Sequence, residues 1–144
     1  LVSWHVPAFY EASLHHRLWH DLMHVSFVVG GLLIWTQIVD PSRHGRLTLG
    51  ERLGYTALVF WTGQILAYVI LFDPTPLFST YAEQPVRLLG LSPLTDQKIS
   101  GVVMMVEQVL TVGLAFVLLL RANQRRRAEL LETHPEPAWA RPWR

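Results

Sequence analysis

The chain has 144 residues, a formal net charge of +1 and no cysteine, which bounds it to one domain and excludes disulfides and thiolate metal sites. So small a charge leaves no electrostatic footprint for nucleic acid, and none is expected as a partner. Mean hydropathy is only +0.26, but the apolar residues are gathered in three runs, and the runs decide the class.

Residues 1–16 read as an amphipathic, histidine-rich approach. Helix one is predicted over about 17–39 and is closed by Asp40-Pro41-Ser42. After a short loop, 40–52, helix two is predicted over 53–72, a run without an ionised side chain. About 20 such residues cross a hydrocarbon core of roughly 30 Å. Asp73-Pro74-Thr75-Pro76 ends it, a longer loop follows over 73–96, and helix three is predicted over about 97–121, with Glu107 the sole charge between Ile99 and Leu120. The expectation is an all-α, polytopic membrane helix bundle with three transmembrane helices in residues 1–121 and the lipid bilayer as their solvent. Residues 122–144 form a basic tail that is expected to be poorly ordered beyond any helical extension, with Trp139 and Trp143 lying on the membrane. The first run follows a polar segment instead of a short basic leader, so it does not read as a cleavable signal.

Arginine sets the orientation, because cytoplasmic flanks carry the positive excess. Arg43, Arg46 and Arg52 lie in the first loop, and Arg121, Arg125, Arg126 and Arg127 follow helix three. Both segments fall on one side of a three-helix hairpin. The amino terminus and the 73–96 loop are therefore expected outside, and the tail inside.

The densest chemistry is His15-His16-Arg17-Leu18-Trp19-His20-Asp21-Leu22-Met23-His24. His20 and His24 share one helix face, one turn apart, close enough for both imidazoles to reach one metal ion. His15 and His16 read instead as interfacial residues. On helix three, Asp96, Ser100, Met104, Glu107 and Thr111 form a polar stripe. Counting back from Leu120 puts Met104 and Glu107 at about the depth of His24, within roughly a turn. The expected metal set is accordingly His20, His24, Glu107, Asp96 and Met104, with Glu107 facing His24. The plainer readings stand beside it: Glu107 as hydrogen-bonded packing, Met104 as core filler, Asp96 as a helix cap. Several of the Trp and Tyr residues read as interface anchors, and Gly30, Gly31 and Gly101 as points of close helix contact. No nucleophile elbow, phosphate loop or catalytic triad is present, so no enzyme is expected.

Three segments together resemble a known family. Ser92-Pro93-Leu94-Thr95-Asp96-Gln97, continuing to Gly101 and Met104, resembles the SPLxDQxxxGxxM signature of the CtaG family of cytochrome c oxidase assembly factors. Trp4-His5-Val6-Pro7-Ala8-Phe9-Tyr10 is similar to its WHxPxxY segment, and His20 to His24 to its paired-histidine helix, with Phe27 and Gly31 following. The resemblance implies a multi-pass protein of the plasma (inner) membrane that works with cytochrome c oxidase subunits and supplies copper to the buried site of a haem–copper oxidase. The paired histidines would be its copper-handling residues. Because that family has about seven helices, the chain looks like its carboxyl-terminal three, and upstream helices or further copies of the chain are expected to complete it. The chain departs from the family at Met23, where an acid is frequent, and after Met104, where Met105, Glu107 and Gln108 replace a Trp and a Pro-Gly pair. A transporter, or an interaction subunit with a polar cluster that binds no metal, is the competing reading. A di-iron hydroxylase would need more HxxxH boxes, and a bis-histidine haem would need histidines on helices two and three.

Overall fold

A computed structural model describes residues 1–40, 45–84 and 88–133. A 3-10 turn, Val2–His5, leads into α1 (Pro7–His15) and then α2 (Arg17–Val39). α3 (Leu49–Phe72) comes next, then a short α4 (Ser79–Ala82), a 3-10 turn at Leu88–Gly90 and α5 (Pro93–Gln108). A π turn, Val109–Gly113, joins α5 to α6 (Leu114–Thr133) without a break. The described residues contain no strand. α2, α3 and the continuous α5–α6 helix are each long and apolar enough to cross a membrane, so the chain is an all-α, multi-pass membrane bundle.

The helix starts follow local capping chemistry. Thr48 and Glu51 form a reciprocal capping box at the head of α3, four residues ahead of the expected start. Ser92 caps α5 by accepting from the Thr95 amide, and Pro93 occupies the first turn, where its missing N–H costs nothing. Asp96 is therefore not the cap; it sits within the first turn of α5. Residues 122–133, expected in the tail, continue α6 as helix, while Trp139 and Trp143 lie outside the described residues.

α3 and α5 pack antiparallel, and small residues bring them together. A Cβ on Gly101 would lie 3.0 Å from Leu71 Cβ and 3.2 Å from the Ala67 carbonyl oxygen. One on Gly63 would collide with the Gln108 side chain. Gln64 donates to the Met105 carbonyl at 3.3 Å and ties the helices where lipid offers no partner, whereas the buried Gln108 Oε1 has no hydrogen-bond partner among the described residues. At the opposite end, Arg52 donates to the Ile38 carbonyl at 2.6 Å and the Val39 carbonyl at 3.0 Å, and lies 4.0 Å from Asp40. That guanidinium satisfies the orphan carbonyls at the end of α2.

The amino-terminal segment folds back along the first half of α2. The extended backbone at His16 makes the reversal. Trp4 is buried, donates from Nε1 to Ser26 Oγ at 2.7 Å, and meets the Trp19 ring edge-on. Trp4 is thus a packing residue instead of an interface anchor. Leu1 covers Gly30, whereas Gly31 has nothing near it. α1 also reaches the loop before α5: Glu11 accepts from the Ser79 amide at 2.7 Å and its hydroxyl at 2.6 Å, and the Tyr10 and Tyr81 hydroxyls are 3.0 Å apart.

A candidate metal-handling end of the bundle

One end of the bundle carries the start of α2, the start of α5 and the α3–α5 loop. Its organising residue is Gln97. The Gln97 carbonyl accepts from the Leu77 amide at 2.7 Å, and its amide donates to the Ile70 and Thr75 carbonyls at 3.2 Å each. One buried side chain therefore satisfies three backbone groups freed by the Pro74 and Pro76 turn. In the Asp96-Gln97 pair, the Gln is a structural clamp. This leaves Asp96 to project from the next position around the helix.

His20 and His24 come together as their one-turn spacing requires. Their Nε2 atoms are 3.1 Å apart and their ring centroids 4.6 Å. One imidazole donates and the other accepts, so at least one Nε2 already presents a lone pair inward. Metal–nitrogen bonds of about 2.0 Å place two ligands about 3.3 Å apart at a tetrahedral angle and about 4 Å apart when linear. The pair needs to open by only a fraction of an ångström to take an ion. His24 is exposed and His20 half-buried, so the site can be reached from outside the bundle.

The remaining expected donors do not join this pair. Glu107 is exposed on the side of α5 that bears Val102, Val103, Val106 and Leu110, and its carboxylate accepts from Thr111 Oγ1 at 3.1 Å. The expectation that it faces His24 is corrected by depth. α2 begins at Arg17 and α5 at Pro93, so Glu107 lies seven residues further into its helix than His24 does, roughly 10 Å at the α-helical rise. Among the described residues no group of three His, Cys, Asp or Glu side chains is placed to hold a metal ion.

Asp96 and Met104 line a separate cavity of about 390 Å³, together with His5, Tyr10, Gln97 and Ser100. Sequence reasoning treated His5 only as part of a motif. Its ring packs edge-on against Phe27, and its Nδ1 is buried without a hydrogen-bond partner. Burial holds the imidazole below its ordinary pKa, opposed by the nearby Leu1 and Val2 carbonyls, so it is neutral at pH 7. On the same rim, burial and the Tyr81 hydroxyl push Tyr10 up to about 12, and the Ser79 hydrogen bonds hold Glu11 below the usual carboxylate value.

Among curated proteins and among solved structures, nothing matches the chain. A family model described as cytochrome c oxidase caa3 assembly factor (Caa3_CtaG) matches residues 1–126. That span takes in the α1–α2 fold-back, the histidine pair, the Gln97 clamp and the α3–α5 seam, and the chain belongs to this family of cytochrome c oxidase assembly factors.

Proposed function

We propose that the chain handles copper as cargo for a haem–copper oxidase at the outer face of the plasma membrane, with His20 and His24 as the first residues the ion meets. The 3.1 Å approach of the two Nε2 atoms carries this reading. Imidazole nitrogens suit copper, and two of them on one helix face are pre-positioned without loop ordering. The arginines of the 40–52 loop and of α6 favour the cytoplasm for the opposite end, which leaves the histidines outside. No bond of the cargo is made or broken by a catalytic group in this role; the chain accepts the ion and passes it to an oxidase subunit. The apolar faces of α2 and α5–α6 are largely uncovered, with 11 % and 6 % of their most apolar windows buried, and partner helices of the oxidase, or other copies of the chain, would cover them.

Copper stoichiometry on purified full-length chain tests the assignment. His20→Ala with His24→Ala should lower bound copper by one equivalent while helix content and membrane insertion persist. Unchanged stoichiometry in a well-folded double variant overturns it. That result would favour an interaction subunit whose polar cluster binds no metal, a role consistent with the lack of a third histidine or carboxylate beside the pair among the described residues.

A further inference from the structure

The cavity between the amino-terminal segment, the α3–α5 loop and α5 has polar groups that the fold does not use. Most of its lining is occupied. The Tyr10 hydroxyl meets that of Tyr81, the Gln97 amide is spent on three backbone groups, and Ser100 donates to the Asp96 carbonyl. His5, Asp96 and Met104 remain. No hydrogen bond or ion pair engages the Asp96 carboxylate or the Met104 sulfur among the described residues, and the His5 ring lines the same cavity. Met23, by contrast, is buried with its sulfur accepting from Ser13 at 3.5 Å.

Depth orders these three groups. Asp96 is exposed in the first turn of α5, and Met104 lies about 12 Å further along at the α-helical rise. His5 packs against Phe27, ten residues into α2 and roughly 15 Å from its start at the α-helical rise. The cavity therefore has a carboxylate at its mouth and an imidazole and a thioether toward its floor. Thioether and imidazole form a soft donor pair that selects Cu(I) over hard cations, and the carboxylate offsets the single positive charge.

We propose that this cavity is a second copper site, holding Cu(I) between the His5 imidazole and the Met104 thioether, with Asp96 drawing the ion in at the mouth. The inference rests on the copper-handling reading and deepens it: the exposed His20–His24 pair receives the ion, and the cavity holds it away from water. Because the chain has no cysteine, any sulfur bound to copper must come from methionine, which gives the site a signature the histidine pair cannot produce.

The test is X-ray absorption at the copper edge on the full chain in detergent micelles, loaded with Cu(I) alone under anaerobic, reducing conditions. Wild type should show a sulfur shell. Met104→Leu, nearly isosteric, and His5→Gln should each abolish that shell and weaken Cu(I) binding in competition with a chelator by at least about tenfold at this site, about 1.4 kcal/mol. Met105→Leu should leave both unchanged. His20→Ala with His24→Ala should reduce total copper but retain the sulfur shell, so failure of the histidine pair and failure of the cavity are read separately. Absence of sulfur in wild type, or its persistence in either well-folded cavity variant, overturns the proposal.

Discussion

Three glycines in membrane-spanning helices provide a graded test of how this bundle is held. Gly→Ala gains roughly 1 kcal/mol of helix propensity wherever it is made, so differences between sites isolate packing. At Gly31 an added Cβ meets nothing within 4 Å, and the substitution should be neutral or mildly stabilising. At Gly30 its nearest contacts are all on the Leu1 side chain, the first at 3.0 Å, and that side chain can swing aside. Gly101 is different in kind: the Cβ would press on the Leu71 amide nitrogen at 3.1 Å and the Ala67 carbonyl oxygen at 3.2 Å, and backbone inside a helix cannot rotate away. The α3–α5 seam must then open by a few tenths of an ångström along its length. Overpacking of this kind costs about 1–3 kcal/mol, so Gly101→Ala should be less stable than Gly31→Ala by about that amount, with Gly30→Ala near the latter. Unfolding by denaturing detergent, followed by circular dichroism in matched micelles, measures the gap. A Gly101→Ala variant as stable as Gly31→Ala would refute the claim that backbone contact at this glycine sets the helix spacing.

Two further expectations concern pH and sidedness. Ser79 hydrogen bonds hold Glu11 below its ordinary value of 4.5, so the α1–loop contact contributes its full stability above that pH and loses it as pH falls through the lowered value. Protection of the Ser79 amide against hydrogen exchange should decline on acidification, and the onset should move to higher pH in Ser79→Ala; a pH-independent protection would contradict the contact. For orientation, single cysteines replacing Ser79 and Thr133 should divide cleanly with an impermeant thiol reagent on intact cells, position 79 labelling and 133 not. The reverse pattern would place the histidines on the cytoplasmic side and remove the basis for receiving copper from outside.

The three spans were legible because absence of charge over about 20 residues is a strong local signal. The His20–His24 approach was legible because helical spacing alone brings those rings together. The features that sequence did not show depend on long-range arrangement. The α3 start at Thr48 was hidden by reading Glu51 and Arg52 as loop charges, although the Thr48-x-x-Glu51 box was there to be seen. The direction of Glu107 was not legible, because a helical stripe does not say which neighbour it meets; the carboxylate is exposed and accepts from Thr111 on its own helix. His5 could not be assigned to a cavity, since only the reversal at His16 carries it back beside Phe27. The role of Gln97 was equally invisible, because its three partners lie 20 to 27 residues away.

The π turn at Val109–Gly113 alters how the third span is to be read as an object in the membrane. The Leu114 amide reaches back to the Val109 carbonyl, one residue further than an α-helix allows, and each additional residue rotates the remainder of the helix by about 100°. α5 faces α3 through Gln97, Gly101 and Gln108, and beyond the turn Gly113, Leu114 and Val117 lie beside Phe60 and Trp61 of the same helix. A simple helical wheel drawn straight through the turn therefore misplaces the α6 residues that face α3. One rod of peptide thus keeps α3 as its neighbour on both sides of the turn, with α5 meeting it near the His20–His24 end and the first part of α6 meeting it toward the arginine-rich end.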